Sequence, residues 1–229
     1  REGVTQSQFQ RWLRNETPET PPEMTRLATW FGAPMIVGIQ QYHYGRTGPE
    51  RFNCAALVTA DGVMVRPVYA KMHPVMFGEY IPLADRWPLL QRITPLASSL
   101  SAGDRPVAFT LDGWNLAPSI CYESVLPHLI GRQLRTLAEE GPEPDLLVNL
   151  TNDGWFWGSS QLDMHLACGV FRAVEFRKPM LIAANTGFSA WIDGDGRIRR
   201  QGRRRATGLL LAEVSPDPRR SPYLWAGDW

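Results

Sequence analysis

The sequence has few cysteines, no excess of one charge and no long apolar run. Its three cysteines in 229 residues are too few, and odd in number, for a disulfide framework. The 24 basic and 23 acidic residues balance, so net charge gives no reason to expect nucleic acid as a partner. No apolar stretch approaches the roughly 20 residues of a membrane helix. These absences leave a globular domain of enzyme size as the expectation.

Ligand-binding clusters are also scarce. The four histidines, His43, His73, His128 and His165, are dispersed and lack the spacing of metal ligands. We therefore predict no metal and no cofactor. The densest basic run, residues 197–205, lies between two predicted strands, where we expect a solvated hairpin loop rather than a binding surface.

What the sequence does contain is an alternation of strand and helix patterns. Apolar runs bounded by turn residues predict strands at 34–39, 52–60, 63–69, 107–111, 116–120, 146–150, 180–184, 189–192 and 209–214. Apolar periodicity predicts helices over 126–140 and 160–178, and a polar helix–loop–helix segment over 1–31 with helices near 9–13 and 24–31. The alternation indicates an α/β layered domain.

Cys121 is the cysteine with the most distinctive surroundings. It follows the strand that ends at Ile120 and precedes the helix predicted from about Leu126. A nucleophile at such a turn is exposed at the sheet edge, where backbone N–H groups can bind an oxyanion and the helix N-terminus favours a thiolate. Cys54 and Cys168 lie within strand and helix patterns, and we predict that both are small buried apolar residues.

Lys71 and Glu79 could supply the charges that a thiol nucleophile needs. Lys71 ends a predicted strand, and Glu79 lies in the loop that follows. A lysine beside a cysteine favours the thiolate and can neutralise a tetrahedral oxyanion, while a glutamate can move or orient protons during acyl transfer. The pair therefore makes Cys121 a candidate for nucleophilic catalysis.

Several ordered motifs resemble those of the carbon–nitrogen hydrolase (nitrilase) superfamily. They occupy residues 71–82, 120–123, 149–156 and 165–187, and include Phe-Gly-Glu-Tyr-Ile-Pro at 77–82 and Cys-Tyr-Glu at 121–123. Within the superfamily, these motifs and the terminal Gly-Asp-Trp at 227–229 most resemble the apolipoprotein N-acyltransferases. The resemblance extends over roughly residues 34–229, and several motifs in order are more specific than any single one.

The resemblance implies an αββα nitrilase-like sandwich formed by one domain, residues 1–229, that lacks its first strand or strands. It also implies transfer of an acyl chain from phospholipid, through a thioester on Cys121, to the N-terminal amine of a lipoprotein. By the same resemblance, Lys71 sits at the oxyanion, Glu79 assists near the nucleophile, and Glu123 and Asn53 support the site. The aromatic segments 72–87 and 155–157 would suit an acyl-chain entrance.

The family's third catalytic residue, a glutamate base after a buried strand, has no clear counterpart. Glu19 follows a proline as that base does, but it lies in a polar segment, and no apolar run precedes Glu2. We therefore expect the base before residue 1, and expect this chain alone to fail at thioester formation. The resemblance further implies the periplasmic side of a bacterial inner membrane, with membrane contact through flanking helices outside this chain and no nucleic-acid partner.

Two other functions remain open. A soluble nitrilase-type amidase, with water as acceptor, would need the same thiolate and lysine. A catalytically inactive domain that binds lipid or a partner would need neither. Small amides compared with phospholipid plus lipopeptide would separate the two enzymes, and labelling of Cys121 by a mild electrophile would separate both from an inert domain.

Overall fold

The structure is a computed structural model that describes residues 20–45, 48–82, 99–157 and 159–227. Two compact units share these residues. One contains the described residues up to Val37 together with Ala56–Val68, and the other contains Gly38–Ala55 and the described residues from Tyr69 onwards. Each unit is described by itself below.

The described residues form two β-sheets and several helices. The strands are β1 Met35–Gly45, β2 Gly48–Val58, β3 Tyr69–Ala70, β4 Phe109–Leu111, β5 Trp114–Ile120, β6 Leu146–Asn152, β7 Met180–Asn185, β8 Ala190–Ile192 and β9 Ile198–Gln201. The α-helices are α1 Pro22–Phe31, α2 Pro127–Glu140, α3 Gln161–Phe176 and α4 Pro222–Ala226, and two 3₁₀ helices span Cys121–Val125 and Asp153–Phe156. Strands β1 to β3 form a three-stranded sheet, and β4 to β9 form a six-stranded sheet in chain order.

The smaller unit is organised around the predicted Asp-Gly turn. Gly62 has a φ of 86°, a conformation that suits a residue without a Cβ. Val58 bridges Met64 across the turn. Helix α1 is tied to it because Thr25 Oγ1 donates to the Gly62 carbonyl at 3.0 Å. The predicted hairpin is therefore confirmed at its turn, although its second arm is a single bridge followed by the short strand β3.

The larger unit is built on three parallel strands. Strands β5, β6 and β7 run parallel, with Ile120 opposite Leu150 and Leu150 opposite Ala183. Because carboxyl ends of parallel strands meet at one edge of a sheet, the residues that follow β5, β6 and β7 gather there. Cys121 and Asp153 are the first residues after β5 and β6.

The core of the larger unit lies between this sheet and helices α2 and α3. The helices place apolar residues at three- and four-residue spacing, which faces one stripe of each towards the strands. The buried cluster consists of Ala117, Ile130, Leu134, Leu137, Leu147, Ala173, Phe176, Met180, Ile182, Ala190 and Ile192. Leu134 and Phe176 are completely buried. This packing makes the sheet edge after β5 and β6 a rigid platform for functional groups.

The prediction of an α/β fold is confirmed, and two local predictions are wrong. The basic run contains strand β9, which pairs with β8, so it is not simply a loop. Residues 209–214 form no strand: half-buried Leu210, Ala212 and Val214 alternate with exposed neighbours, but the segment has no ladder in the described chain. Alternation of apolar and polar residues shows which side of a segment faces the core, but it does not determine whether the segment pairs with another strand. The helix predicted at 9–13 lies outside the described residues.

Candidate active site

Cys121 lies at a sharp turn between β5 and a 3₁₀ helix. Its φ is 53°, a left-handed conformation that costs a non-glycine residue energy and persists only where the surroundings enforce it. The side chain is partly exposed. Helix α2 begins six residues later at Pro127, because proline is favoured in the first helical turn. The predicted strand-to-helix turn is therefore present, with the 3₁₀ helix Cys121–Val125 between β5 and α2.

A buried carboxylate joins the turn at Cys121 to the segment that carries Lys71. Glu123 is fully buried and accepts four hydrogen bonds. One oxygen accepts from the N–H groups of Met72 and His73 at 2.7 and 3.0 Å. The other accepts from the Tyr69 hydroxyl at 2.8 Å and from the Ile120 N–H at 2.7 Å. We call these five residues the Glu123 cluster.

Burial removes water from the Glu123 carboxyl and the Tyr69 hydroxyl and shifts the pKa of both groups. Burial raises the pKa of the Glu123 carboxyl, while hydrogen bonds from Ile120, Tyr69 and His73 and the charge of Lys71 oppose that rise. Burial also raises the pKa of Tyr69 well above its usual range, and the negative charge of Glu123 raises it further. Tyr69 therefore stays a hydrogen-bond donor over the whole physiological pH range.

Lys71 and Glu79 form an ion pair in the same region. The Lys71 ammonium is almost fully buried and lies 2.6 Å from Glu79 Oε2. The same oxygen accepts the Val75 N–H at 2.7 Å. The structure therefore places Lys71 and Glu79 in direct contact, and the Glu123 cluster connects this segment to Ile120, the residue before Cys121.

Backbone contacts fix the position of Lys71. Its N–H donates to the carbonyl of Asn53 at 2.8 Å, and its carbonyl accepts the N–H of Gly103 at 2.8 Å. A Cβ on Gly103 would overlap the Ala70 carbonyl, so only glycine permits this approach. Asn53 thus supports Lys71 through its backbone in β2, which the sequence alone did not indicate.

A second set of buried polar groups is connected to the carbonyl of Cys121. The Thr151 hydroxyl donates to Asp153 Oδ1 at 2.7 Å, and the same oxygen lies 3.0 Å from His165 Nδ1. His165 Nε2 lies 2.9 Å from the Ser124 hydroxyl, which donates to the Cys121 carbonyl at 3.2 Å. We call Thr151, Asp153, His165 and Ser124 the Asp153 chain. Asn149 Nδ2 donates to the same Cys121 carbonyl at 3.2 Å.

An apolar pocket opens beside Cys121. It has a volume of about 140 Å³, and Tyr122, Phe156, Met164, His165 and Cys168 share its wall with Cys121. Cys168 was predicted to be buried and is only partly so. Burial still raises the pKa of its thiol, which disfavours the reactive thiolate form of Cys168. Cys54 is fully buried, as predicted.

The aromatic segments divide between this pocket and the surface. Phe156 contributes to the pocket wall, whereas Trp155 and Trp157 are 64% and 84% exposed. Met76 and Phe77, in the loop after Lys71, are also largely exposed. Large exposed apolar groups therefore lie in the segments that follow Lys71 and Asp153, where no core packing explains them.

A match to a protein family covers most of the chain. The family model described as "Carbon-nitrogen hydrolase" matches residues 12–221. The chain belongs to the carbon–nitrogen hydrolase family.

Curated relatives within this family share one name. The chain is 36% identical over 183 residues to an apolipoprotein N-acyltransferase of Rhodopirellula baltica. The aligned region covers 79% of the chain and 32% of that protein. It is 37% identical over 146 residues to the apolipoprotein N-acyltransferase of Verminephrobacter eiseniae. That aligned region covers 64% of the chain and 27% of the relative. The chain thus spans about a third of the length of the curated relatives it matches.

Solved structures of carbon–nitrogen hydrolases share the fold. An amidase from Nesterenkonia sp. superposes with a TM-score of 0.59 at 20% identity, over 89% of this chain and 67% of that one. The CN-hydrolase superfamily protein XC1258 from Xanthomonas campestris gives 0.58 at 19% identity, over 85% of this chain and 69% of that one. The nitrilase-like fold predicted from the motifs is confirmed.

Some predicted features remain untested, and some site residues were missed. Glu2 and Glu19, the candidates for the general base, lie outside the described residues. Within the described part of the chain, no group of three or more acidic, histidine or cysteine side chains is placed to hold a metal ion, and no helix is long and apolar enough to cross a membrane.

The sequence predicted no role for Ser124, Asp153 and His165, although Asp153 and His165 lie within the motif segments.

Proposed function

We propose that this chain is the catalytic domain of a lipoprotein N-acyltransferase, in which Cys121 is the acyl-carrying nucleophile. The observation that carries the proposal is the position of Cys121: a partly exposed thiol on a strained turn, in the wall of an apolar pocket, with Glu123 joining that turn to the segment that carries the buried Lys71–Glu79 pair. The named relatives support the choice of reaction.

The reaction would proceed in two balanced steps. The Cys121 thiolate attacks the ester carbonyl of a phospholipid acyl chain, the ester C–O bond breaks, and the lysophospholipid leaves with the proton that the Cys121 thiol had given to the site's general base. The free amine of the lipoprotein then attacks the thioester, the C–S bond breaks as the amide forms, and the amine's proton passes to the base as the thiolate is restored. Lys71 would stabilise the oxyanion of each tetrahedral intermediate, because its ammonium is buried and therefore weakly screened.

Glu79, Glu123 and Asn53 would have different parts in this reaction. Glu79, bonded to Lys71, would orient that ammonium and assist proton movement near the nucleophile. Glu123 would keep the Lys71 segment and the Cys121 turn in register, and Asn53 would fix Lys71 through the backbone. We propose that the domain works on the periplasmic side of a bacterial inner membrane, with phospholipid as donor and lipoprotein as acceptor.

The test follows the thioester. Full-length protein is incubated with phospholipid that carries an isotope-labelled acyl chain, and the peptide containing Cys121 is analysed by mass spectrometry. We expect a mass increase of one acyl chain that hydroxylamine removes, and loss of that mass when a diacylated lipopeptide with a free amine is added. Cys168→Ala controls for the neighbouring thiol and should keep the modification, whereas Cys121→Ala should lose it.

The amidase alternative gives the opposite pattern. Solved amidases share the fold, so small amides are tested in parallel. Turnover of small amides with no acyl transfer to lipopeptide would overturn the proposal, as would acylation of Cys168 in place of Cys121.

A further inference from the structure

We propose that the outer face of helix α3 binds the alkyl part of the acyl chain that reaches Cys121. The inference rests on the proposed function, because it gives a path to the acyl donor named there. It concerns four residues at three- and four-residue spacing, Met164, Ala167, Cys168 and Phe171, which we call the α3 stripe.

Helix α3 is apolar on two faces, although only one of them lies in the core. Residues 164–171 read Met-His-Leu-Ala-Cys-Gly-Val-Phe and contain no Asp, Glu, Lys or Arg. On the inner face, Ala173 and Phe176 are completely buried. On the outer face, Met164 and Phe171 are 57% and 60% exposed. Because a helix that is apolar all round is normally covered all round, the outer face points to an apolar occupant that the described residues do not supply.

The α3 stripe begins in the wall of the pocket beside the nucleophile. Met164 and Cys168 line that pocket together with Cys121. Ala167 and Phe171 extend the same face of the helix beyond the pocket. Seven residues separate Met164 from Phe171, which corresponds to about 10 Å along the helix axis. An apolar path therefore leads from the pocket at the thiol to Phe171.

The size of the pocket identifies the occupant. Its volume is about 140 Å³, whereas pockets that enclose drug-sized molecules measure about 300–1,000 Å³. Such a pocket can hold the carbonyl end of a long acyl chain, but most of the methylene groups must lie outside it. Each methylene group that leaves water for an apolar surface contributes favourably to binding. The α3 stripe adjoins the pocket and offers that surface.

The side chains of α3 suit an alkyl chain of variable length. Met164 is flexible and polarisable, so it can adapt to the chain that lies against it. The two acidic residues of α3, Asp163 and Glu175, lie outside the α3 stripe, and each is paired with an arginine. No charged side chain therefore interrupts the stripe, and binding there depends on the length of the alkyl chain rather than on a head group.

The experiment measures how fast Cys121 reacts with alkyl methanethiosulfonates that carry methyl, butyl or decyl groups. The thiolate attacks the sulfenyl sulfur of the probe, a disulfide forms, and methanesulfinate leaves. The full 229-residue chain is used in buffer without detergent, and the modified Cys121 peptide is quantified by mass spectrometry. We expect the rate to rise with chain length, including beyond butyl, by about twofold for each added methylene group.

Two variants of the α3 stripe test where the alkyl chain lies. Ala167→Glu places a charge on the exposed stripe, and we expect the ratio of the decyl rate to the butyl rate to fall about tenfold. Phe171→Ala adds no charge but removes apolar area, and the ratio should fall about threefold. Ala138→Glu is the matched control, because Ala138 is an exposed alanine on α2, and it should leave the ratio unchanged. Far-UV circular dichroism checks that each variant is folded.

Several results would overturn the inference. These are rates that stop rising at butyl, a ratio that Ala167→Glu leaves unchanged, and an equal fall in Ala138→Glu. A wild-type dimer that Ala167→Glu dissociates in sedimentation would show that a second copy covers the α3 stripe, and would overturn it as well. The probes carry no ester and need no lipopeptide, so failure of the proposed acyl transfer can be told apart from failure of this inference.

Discussion

Two buried carboxylates hold the backbone around Cys121 in different ways. Glu123 fixes the residue before it, through the Ile120 N–H, and gathers four donors on one carboxylate. Asp153 reaches the Cys121 carbonyl only through His165 and Ser124. All four hydrogen bonds of the Glu123 cluster thus end on one carboxylate. The hydrogen bonds of the Asp153 chain instead run from one residue to the next, and its member His165 lines the pocket.

The contrast separates stability from reactivity. Three donors of the Glu123 cluster are backbone N–H groups, which cannot rotate away and would lose their acceptor without the carboxylate. The Asp153 chain consists of side chains that can exchange partners when a proton moves. We therefore expect changes at Glu123 to lower the free energy of unfolding, and changes at His165 mainly to alter the chemistry of Cys121.

The largest expected effect is at Glu123. Glu123→Ala leaves four donors without an acceptor, of which the Tyr69 hydroxyl and the Ile120 N–H are buried, and we expect the free energy of unfolding to fall by about 3 kcal/mol or more. Urea denaturation measures it. Glu139→Ala, an exposed glutamate on α2, should change it by less than about 0.5 kcal/mol. Similar values for the two variants would show that the cluster does not have the stabilising role given to it here.

The next largest effect is expected at Lys71, on the rate at which Cys121 is acylated. Lys71→Met should lower the rate of Cys121 acylation by about a hundredfold or more, because the oxyanion loses a buried cation. Lys178→Met is the matched control: Lys178 is also buried and lies 2.7 Å from a glutamate, Glu143, but lies two residues before β7. A comparable loss in the Lys178 variant would mean that the Lys71 effect comes from stability rather than from chemistry.

A smaller effect is expected where Asp153 is packed. Gly187→Ala forces the Asp153 carboxylate to shift, and we expect a loss of about 2 kcal/mol in thermal or urea unfolding, together with slower alkylation of Cys121. Gly208 has open space around its Cα, so Gly208→Ala should be nearly neutral. If Gly187→Ala leaves alkylation unchanged, the Asp153 chain does not reach Cys121 in the way the distances indicate.

The smallest effect is at Tyr69 and depends on pH. Tyr69→Phe removes one of four donors to Glu123, and we expect a loss of about 1 kcal/mol at neutral pH. The folded-state pKa of Tyr69 is raised above its ordinary value of 10.0, so the unfolded chain ionises first. The advantage of wild type over the variant should be complete below pH 10.0 and decline above it. An advantage that grows above pH 10.0 would contradict this assignment.

Local patterns predicted the scaffold well because each element carries its own periodicity. Helices α2 and α3 and strands β5 to β8 lie within a few residues of their predicted positions, since apolar spacing reports burial directly. Strand β9 was missed because all four of its residues are exposed, so it is defined only by its pairing with β8.

The candidate site was predictable only where motif and chemistry coincide. Lys71 and Glu79 are eight residues apart, and their pairing could be expected from one loop. Three of the four partners of Glu123 lie 50 to 54 residues upstream, and His165 lies 41 residues after Ser124. Such contacts are created by the meeting of strand ends at one sheet edge, which residue spacing does not express.

The turn at Cys121 also bears on how such a site could be changed. Within the described residues, the side chains that hold the strained backbone of Cys121 bond to the Ile120 N–H and the Cys121 carbonyl, and the thiol itself makes no hydrogen bond. The hydrogen bonds that hold the backbone conformation of Cys121 thus do not involve the sulfur atom that reacts. Replacement of the sulfur by oxygen or hydrogen should preserve this conformation. Cys121→Ser and Cys121→Ala would therefore be suitable variants in which to crystallise the protein with an unreacted acyl donor.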